Sequence, residues 1–347
     1  MLKRLFVGLI LVPCLLMTGC GMDSEKGILM AAGSYGDLAV VLSDDGLRPM
    51  AETFMTGMNT EFVFVIKPET LFKVDYFGPK NWDLAKGYKN SLFVVRIGDG
   101  GKAEQAARRL MSDEAWDRLA AGGGGVVRAA DPWSTYQQVV VVASTDRNSL
   151  GSILNRNADT IRELFEDSSR ERILRRNRYE GLNTALMDAY WSRYGVFLEI
   201  PAAYTQNQFE PDGYPGLELM RKAPSRGISL AWKKSADPLG LLSDKAALAD
   251  FRAEMGVELH HEEIVPSSFV WSQAEIGGAP AVKLTGAWTS NEFSGGGAFW
   301  CYFLPDPARG RLVCLDLLVY APGMDKMGFF RRLDAVASTY STQRPQP

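Results

Sequence analysis

The sequence predicts an α+β protein of two sheet-and-helix domains with mostly antiparallel sheets, on three observations. Short apolar, β-branched runs recur along the chain, each closed off by Gly, Pro, Asn or Asp, as strands are. Between them lie stretches with apolar residues at helical spacing, several opened by an Asp that can cap a helix. Strands come in runs with helices after them, an order that suits α+β sheets better than a doubly wound parallel sheet. The 347 residues, 46% of them hydrophobic, suffice for two domains with real cores. There is no repeat with a period of about 20 to 50 residues and no low-complexity segment.

The first domain is expected over residues 28–166. Leu38 to Leu42 is an apolar run ending at the turn Ser43-Asp44-Asp45-Gly46, so it reads as a buried strand. Met50, Phe54, Met55 and Met58 place a helix over about Leu47 to Gly57. Strands follow near Leu71 to Phe77 and Ser91 to Ile97, with a short helix from about Asn81 to Lys86 between them. Lys102 to Ala121 reads as one helix, with Ala106, Leu110, Trp116 and Leu119 along one side, stopped by the glycines at 122–125. Tyr136 to Ser144 contains Val139 to Val142, a run suited to a strand buried on both faces. Asp146 would cap a helix running to about Phe165.

A basic, then amphipathic helical stretch from Ser168 to Arg193, dented at Gly181, marks a connector over residues 167–194. The second domain, 195–347, opens with a strand from Val196 to Ile200, stopped by Pro201. Strands are expected near Leu217 to Lys222 and Ile228 to Lys233, and Ser243 with Asp244 would cap a helix to about Met255. Ser268 to Ile276, Ala281 to Trp288, and a hairpin of Ala298–Leu304 with Leu312–Tyr320 close the sheet. Asp325 would cap the last helix, where Phe329, Phe330, Leu333, Val336 and Ala337 make a core stripe.

The start of the chain carries a different signal. Lys3 and Arg4 precede an apolar run from Leu5 to Leu16 that is too short for a permanent span, and small Thr18 and Gly19 lead into Cys20. That order is a secretory signal peptide over residues 1–19. Met17-Thr18-Gly19-Cys20 resembles the lipobox of bacterial lipoproteins, with Met where Leu is usual. The resemblance implies that Cys20 takes a diacylglycerol, becomes the N-terminus and holds the chain in membrane lipid, with residues 20–27 as a lipidated tether. Gly21 in place of Asp after the cysteine implies anchoring in the outer membrane, on its periplasmic or surface face. Loss of residues 1–19 leaves 328 residues with 36 basic and 41 acidic side chains, a net charge of −5. Nucleic acid would need a basic face, so it is not an expected partner.

Further motifs carry a second resemblance. Asp131-Pro132-Trp133 precedes the valine strand, Ser169-Arg170-Glu171-Arg172 opens the joining helix, and Tyr194-Gly195-Val196 leads into Ile200-Pro201. Gly286-Ala287-Trp288, Asn291-Glu292-Phe293, Gly295-Gly296 and Tyr320-Ala321-Pro322-Gly323-Met324-Asp325-Lys326 follow. With these, nearly all of the mature chain resembles an uncharacterised family of Gram-negative bacterial lipoproteins of the Bacteroidetes type, known only as a domain of unknown function. Lys102 to Gly125 reads as an insertion relative to that family. The second half also looks like the small α/β/α sandwiches of photosystem accessory and transport-factor type, which are binding modules. The family has no assigned activity, so the resemblance implies location and fold but no catalytic residue. The expected function is that of an envelope lipoprotein that binds or scaffolds, with an envelope protein or glycan as candidate partner. The alternative is an enzyme on envelope glycans or peptides whose carboxylates are brought together by folding.

No motif points to a cofactor. His260 and His261 are the two histidines and precede Glu262 and Glu263. On a strand His260 and Glu262 would share one face and grip a metal loosely, but no His-Glu-x-x-His or Cys-x-x-Cys completes a ligand set, so a solvated polar edge is expected. Gly-x-Ser-x-Gly, a Walker loop and Gly-x-Gly-x-x-Gly after a strand are absent. Arg170, Arg172, Arg175, Arg176 and Arg178 either meet anionic headgroups or polysaccharide phosphate, or form a solvated helix face paired with Glu166, Asp167 and Glu171. The candidate binding surface is Trp288 to Phe299, where Trp288, Asn291, Glu292, Phe293, Gly295 and Gly296 set aromatics beside glycines. The other reading has Trp288 and Phe293 plugging the end of the sheet.

Cys14 leaves with the signal, so Cys301 and Cys314 are the cysteines left for pairing, in a compartment that permits a disulfide. If Leu304 faces Arg311 across the turn 305–310, Cys301 falls directly opposite Cys314. The two either bridge or stay reduced as small apolar residues.

Overall fold

The computed structural model describes residues 29–59, 61–63, 68–207, 216–290 and 295–344. Cys20, its tether, and Asn291, Glu292 and Phe293 lie outside the described residues.

In the first half, β1 (Asp37–Leu42) leads into α1 (Arg48–Met58), followed by a small hairpin of β2 (Glu61–Val63) and β3 (Pro68–Thr70). Then come β4 (Lys73–Phe77), β5 (Asn90–Arg96), α2 (Lys102–Arg108), α3 (Asp113–Ala121), β6 (Gly125–Ala130), β7 (Gln138–Ser144), α4 (Arg147–Arg156) and α5 (Ala158–Glu180). Five of these strands form a sheet in the order β4-β1-β5-β7-β6. It is mixed, within a molecule whose strand pairs are mostly antiparallel as expected: β1 runs parallel to β4 and β5, and β5 to β7, with β6 antiparallel at the edge. Parallel pairing needs long crossovers, and α1 to β3 and the β5–β7 connection supply them. Helices cover both faces. Val40, Leu92 and Val140 pack under α1, α4 and α5, while Val41, Phe93 and Val141 pack under α2 and α3. The valine run of β7 is therefore buried on both sides.

Local departures from the expected elements have local causes. The helix expected over Lys102–Ala121 is two, because the Ser112 hydroxyl accepts from Ala115 N and Asp113 and Glu114 fill a new first turn. Gly123 and Gly124 do end α3, with φ of +80° and +112°, but they turn the chain into β6, an edge strand too short and too glycine-led to register as a run. The helix opened by Asp146 breaks at Asn157, so α5 starts well before the basic stretch.

The second half holds α6 (Thr184–Tyr194), β8 (Thr205–Asn207), β9 (Gly216–Arg221), β10 (Ser225–Lys234), α7 (Lys245–Met255), β11 (Glu262–Ile276), β12 (Ala279–Ser290), β13 (Gly296–Asp306), β14 (Arg311–Tyr320) and α8 (Met327–Ala337). Seven strands form an antiparallel sheet in the order β11-β12-β13-β14-β10-β9-β8. Val196 to Ile200, expected as a strand, joins no ladder. Val196, Leu198 and Ile200 still point alternately into the core, and the segment is held by Phe197 pairing with Ser341 and by Glu199 N donating to the Thr339 hydroxyl. Asp325 does not cap α8, because it is paired with Lys73. The Glu69 carboxylate, from β3, accepts instead from Lys326 N at 2.8 Å and Met327 N at 2.9 Å.

One face of the second sheet packs under α7, through Phe299, Phe303 and Leu248. The other face shares a single core with the first sheet. Trp300, Leu315 and Leu317 meet Phe330, Leu333 and Val336 of α8, and α8 packs on Phe165 and Ile161 of α5, which rest on the first sheet. The Trp300 and Phe330 rings stack with centroids 4.9 Å apart.

Candidate functional site

The residues singled out in the sequence fall in three places. Trp288 is buried near the end of β12, and a Cβ on Gly297 would come within 2.7 Å of its indole. Gly297 thus lets the ring lie against the next strand. Gly295 accepts from Ser290 N at 3.0 Å, and Gly295 and Gly296 are half-buried. Asn291, Glu292 and Phe293 fall outside the described residues.

His260 and Glu262 share no strand, and neither lies on a solvated edge. His260 ends a π-turn after α7, its side chain buried with Nδ1 3.4 Å from Glu218 Oε1, and burial pushes its pKa down to about 3. Glu262, buried at the start of β11, sits 3.3 Å from Arg252, whose Nε donates to Asp316 at 2.9 Å. Arg252 is wholly buried and lies 4.5 Å from the Phe299 ring. No group of three His, Cys, Asp or Glu suited to a metal occurs among the described residues.

Cys301 and Cys314 meet beside this network, their sulfurs 3.0 Å apart, as free buried thiols. The register differs from the expected one by two residues. Asp306 faces Arg311, so Cys301 is opposite Asp316 and Cys314 opposite Phe303. The cysteines are diagonal neighbours, not an opposed pair.

The arginines of α5 form neither a uniform solvated face nor a free basic patch. Arg172 is buried and donates to Lys89 O, Tyr136 O and the Asn90 side chain, tying α5 to the first sheet. Arg170 pairs with Asp167 and Asp334, Arg176 with Glu180, and Arg178 with Glu199, while Arg175 lies over the Tyr136 ring. Glu166, expected as one of their partners, pairs with Arg331 of α8.

A site not foreseen from the sequence lies where the two halves join. A cavity of about 370 Å3 is framed by the end of α5, the Pro201–Tyr204 turn, the β9–β10 turn and α8. Arg221 ends β9, Arg226 begins β10 and Arg332 comes from α8. Arg226 is 3% exposed, has no partner for its Nε, and lies 5.1 Å from the Phe329 ring. Among the described residues, none of the three is paired with a carboxylate. Arg226 alone, next to a glycine in a strand, was the available signal, and it did not say where Arg221 and Arg332 would be.

Residues 31–178 match the model of a domain of unknown function (DUF8532), and residues 254–339 match another (DUF4837). A stretch in each half of the chain thus matches an uncharacterised family model. The expected resemblance to a family of unknown function therefore holds, divided between two models. The cavity sits at their boundary: Asn177 lies in the DUF8532 region, Arg332 in the DUF4837 region, and Arg221 and Arg226 between them. Among solved structures the chain is similar to cyanobacterial PsbP (CyanoP) from Synechocystis sp. PCC 6803, with 16% identity over 42% of this chain and 86% of that one, TM-score 0.29. It is also similar to PA94 from Pseudomonas aeruginosa, a protein of unknown function described as a putative regulator, with 15% identity over 42% of this chain and 99% of that one, TM-score 0.24. No curated protein matches the chain. Likeness at these scores bears no functional argument.

Proposed function

We propose that the chain is an envelope lipoprotein, anchored in the outer membrane through acylated Cys20, that works by binding, with the junction cavity as the seat of its ligand. The observation that carries the binding half is the cavity itself, framed by both halves and lined by three arginines that have no carboxylate partner among the described residues. Ligand sites favour such junctions. A second cavity, about 400 Å3, is lined in part by Asp37, Glu69 and Asp325, but each is already engaged. Asp37 accepts from Ser34 N, Glu69 caps α8 and Asp325 pairs with Lys73, so these carboxylates make a poor acid-base pair. The anchoring half rests on the Met17 to Cys20 box. No helix among the described residues is long and apolar enough to cross a membrane.

Two measurements test the two halves. Cys20→Ala should release the protein from membranes or leave an unprocessed precursor; a processed, acylated species still floating with membranes would overturn the anchor. Native mass spectrometry of protein purified from its own membranes should show a non-covalent companion mass. That mass should be missing from Ala203→Trp, which fills the cavity from an exposed turn position. Identical bare masses in both proteins would overturn the cavity as a ligand seat.

A further inference from the structure

We propose that the junction cavity binds a phosphate monoester group, gripped by Arg221, Arg226 and Arg332; this rests on the cavity being the ligand seat. The arrangement is costly as it stands. Three guanidinium groups line one cavity, and that of Arg226 is nearly cut off from water, while none has a carboxylate partner among the described residues. A buried cation with an orphan donor is destabilising unless something accepts from it. Arg226 donates to Pro224 O at 3.1 Å and is hydrogen-bonded to the Tyr204 side chain, but its Nε has no acceptor. Burial, with Arg221 and Arg332 adding and Tyr204 opposing, holds the Arg226 pKa below its usual value.

The missing partner must be an anion with several acceptor oxygens. Three guanidinium forks offer many donors in planar pairs, and the Tyr204 side chain adds another polar group beside Arg226. A carboxylate has two oxygens and one charge. A phosphate monoester has three free oxygens and about −1.5 to −2 charge, so it matches the number of forks and offsets more of the excess charge than a carboxylate would. The acid at the rim does not compete, because Glu180 is held by Arg176 at 2.6 Å. The volume exceeds what a phosphate alone needs, leaving room for the group that carries it along the Pro201–Ala203 turn. Phosphorylated small molecules and the headgroup of an anionic lipid both offer this chemistry.

The test is calorimetric titration of the intact protein with glycerol 3-phosphate and, separately, acetate. Vesicle flotation follows, with phosphatidylcholine alone or doped with phosphatidic acid. Glycerol 3-phosphate should bind saturably, more weakly as salt rises. Arg332→Gln and Arg221→Gln, changes at an exposed and a half-buried position, should each weaken it roughly tenfold or more while leaving the thermal midpoint of the free protein nearly unchanged. Arginine-dependent binding of the soluble ester alone assigns a soluble ligand. Arginine-dependent flotation with phosphatidic acid assigns a headgroup. Either supports the proposal. Acetate binding as tightly as the ester would overturn the phosphate assignment while leaving the cavity a ligand seat. Binding unchanged in both variants, or no heat with any anion and no flotation, would overturn the proposal outright. A phosphorus-free companion mass in the native spectrum would do the same without harming the broader reading.

Discussion

At the scale of single residues, the network under α7 is a problem in charge balance. Arg252 supplies one positive charge to two carboxylates, and all three are buried. Asp316 has the shorter contact, at 2.9 Å, and keeps the charge near neutral pH, its pKa pushed up by burial, against Arg252, to about 6. Glu262 sits farther away, and burial pushes it to about 8, so at pH 7 it holds a proton. A carboxyl raised in the folded state binds a proton that the unfolded chain does not, so stability falls as pH rises. Asp316 and Glu262 contribute to that fall from about pH 4, opposed up to about pH 6.5 by buried His260, whose lowered pKa works the other way; between about pH 6.5 and 8 the fall belongs to Glu262, at most about 1.4 kcal/mol per pH unit. Glu262→Gln should remove this contribution to urea stability across the whole window from about pH 4.5 to about pH 8; an unaltered slope would place the proton elsewhere. Arg252→Ala strips Asp316 and Glu262 of their buried partner, and is expected to cost about 3 to 5 kcal/mol. Both charged residues were visible as oddities in the sequence. Arg252 interrupts the stripe Leu248, Phe251, Met255, and Asp316 interrupts the run Leu312 to Val319. Their pairing was not legible, because it depends on α7 lying across β14.

At the scale of elements, the hairpin of β13 and β14 shows how far pattern reading reaches. Prolines at 305 and 307 suggested a wide turn, but Asp306 and Arg311 pair at 2.8 Å and extend the ladder past Pro305. Only Pro307 to Gly310 remains as the turn, with Gly310 at φ +58°. The slip is two residues, one full period of a strand, so every side chain keeps its face and only its partner changes. That is why the cysteines still meet. Burial lifts the Cys301 thiol well above its usual range, leaving little thiolate to attack an oxidant. Protein never exposed to reductant should therefore show two titratable thiols once unfolded; none would mean the bond is closed in the cell. The cap of α8 taught the reverse lesson, since a favourable residue stood at the right place and was used elsewhere. Glu69→Ala should lower stability by about 1 to 2 kcal/mol, read as a lower urea midpoint with unchanged slope. Asp325→Ala, which breaks an exposed pair with Lys73, should cost no more than about 1 kcal/mol.

At the scale of the whole molecule, the two sheets share one core through α5 and α8. Calorimetry should show a single transition with calorimetric and van't Hoff enthalpies in a ratio near one, whereas independently melting halves would split it. The elements and most of their order were legible, because strands and caps are written locally. The shared core was not, because Phe165 and Phe330 lie far apart in sequence and α5 reads as a solvated connector, with many charges and little apolar contrast. The same helix pairing limits how this protein can change. Around α8, Phe330, Leu333 and Val336 fill the core, Arg331 holds Glu166, Arg332 enters the cavity, and Asp334 takes the Tyr302 hydroxyl. Each can be exchanged singly at its own cost. Adding or deleting one residue before them would turn all the rest by about 100° and break every one of those engagements together. Lineages of this chain should therefore vary in the composition of α8 while holding its length fixed.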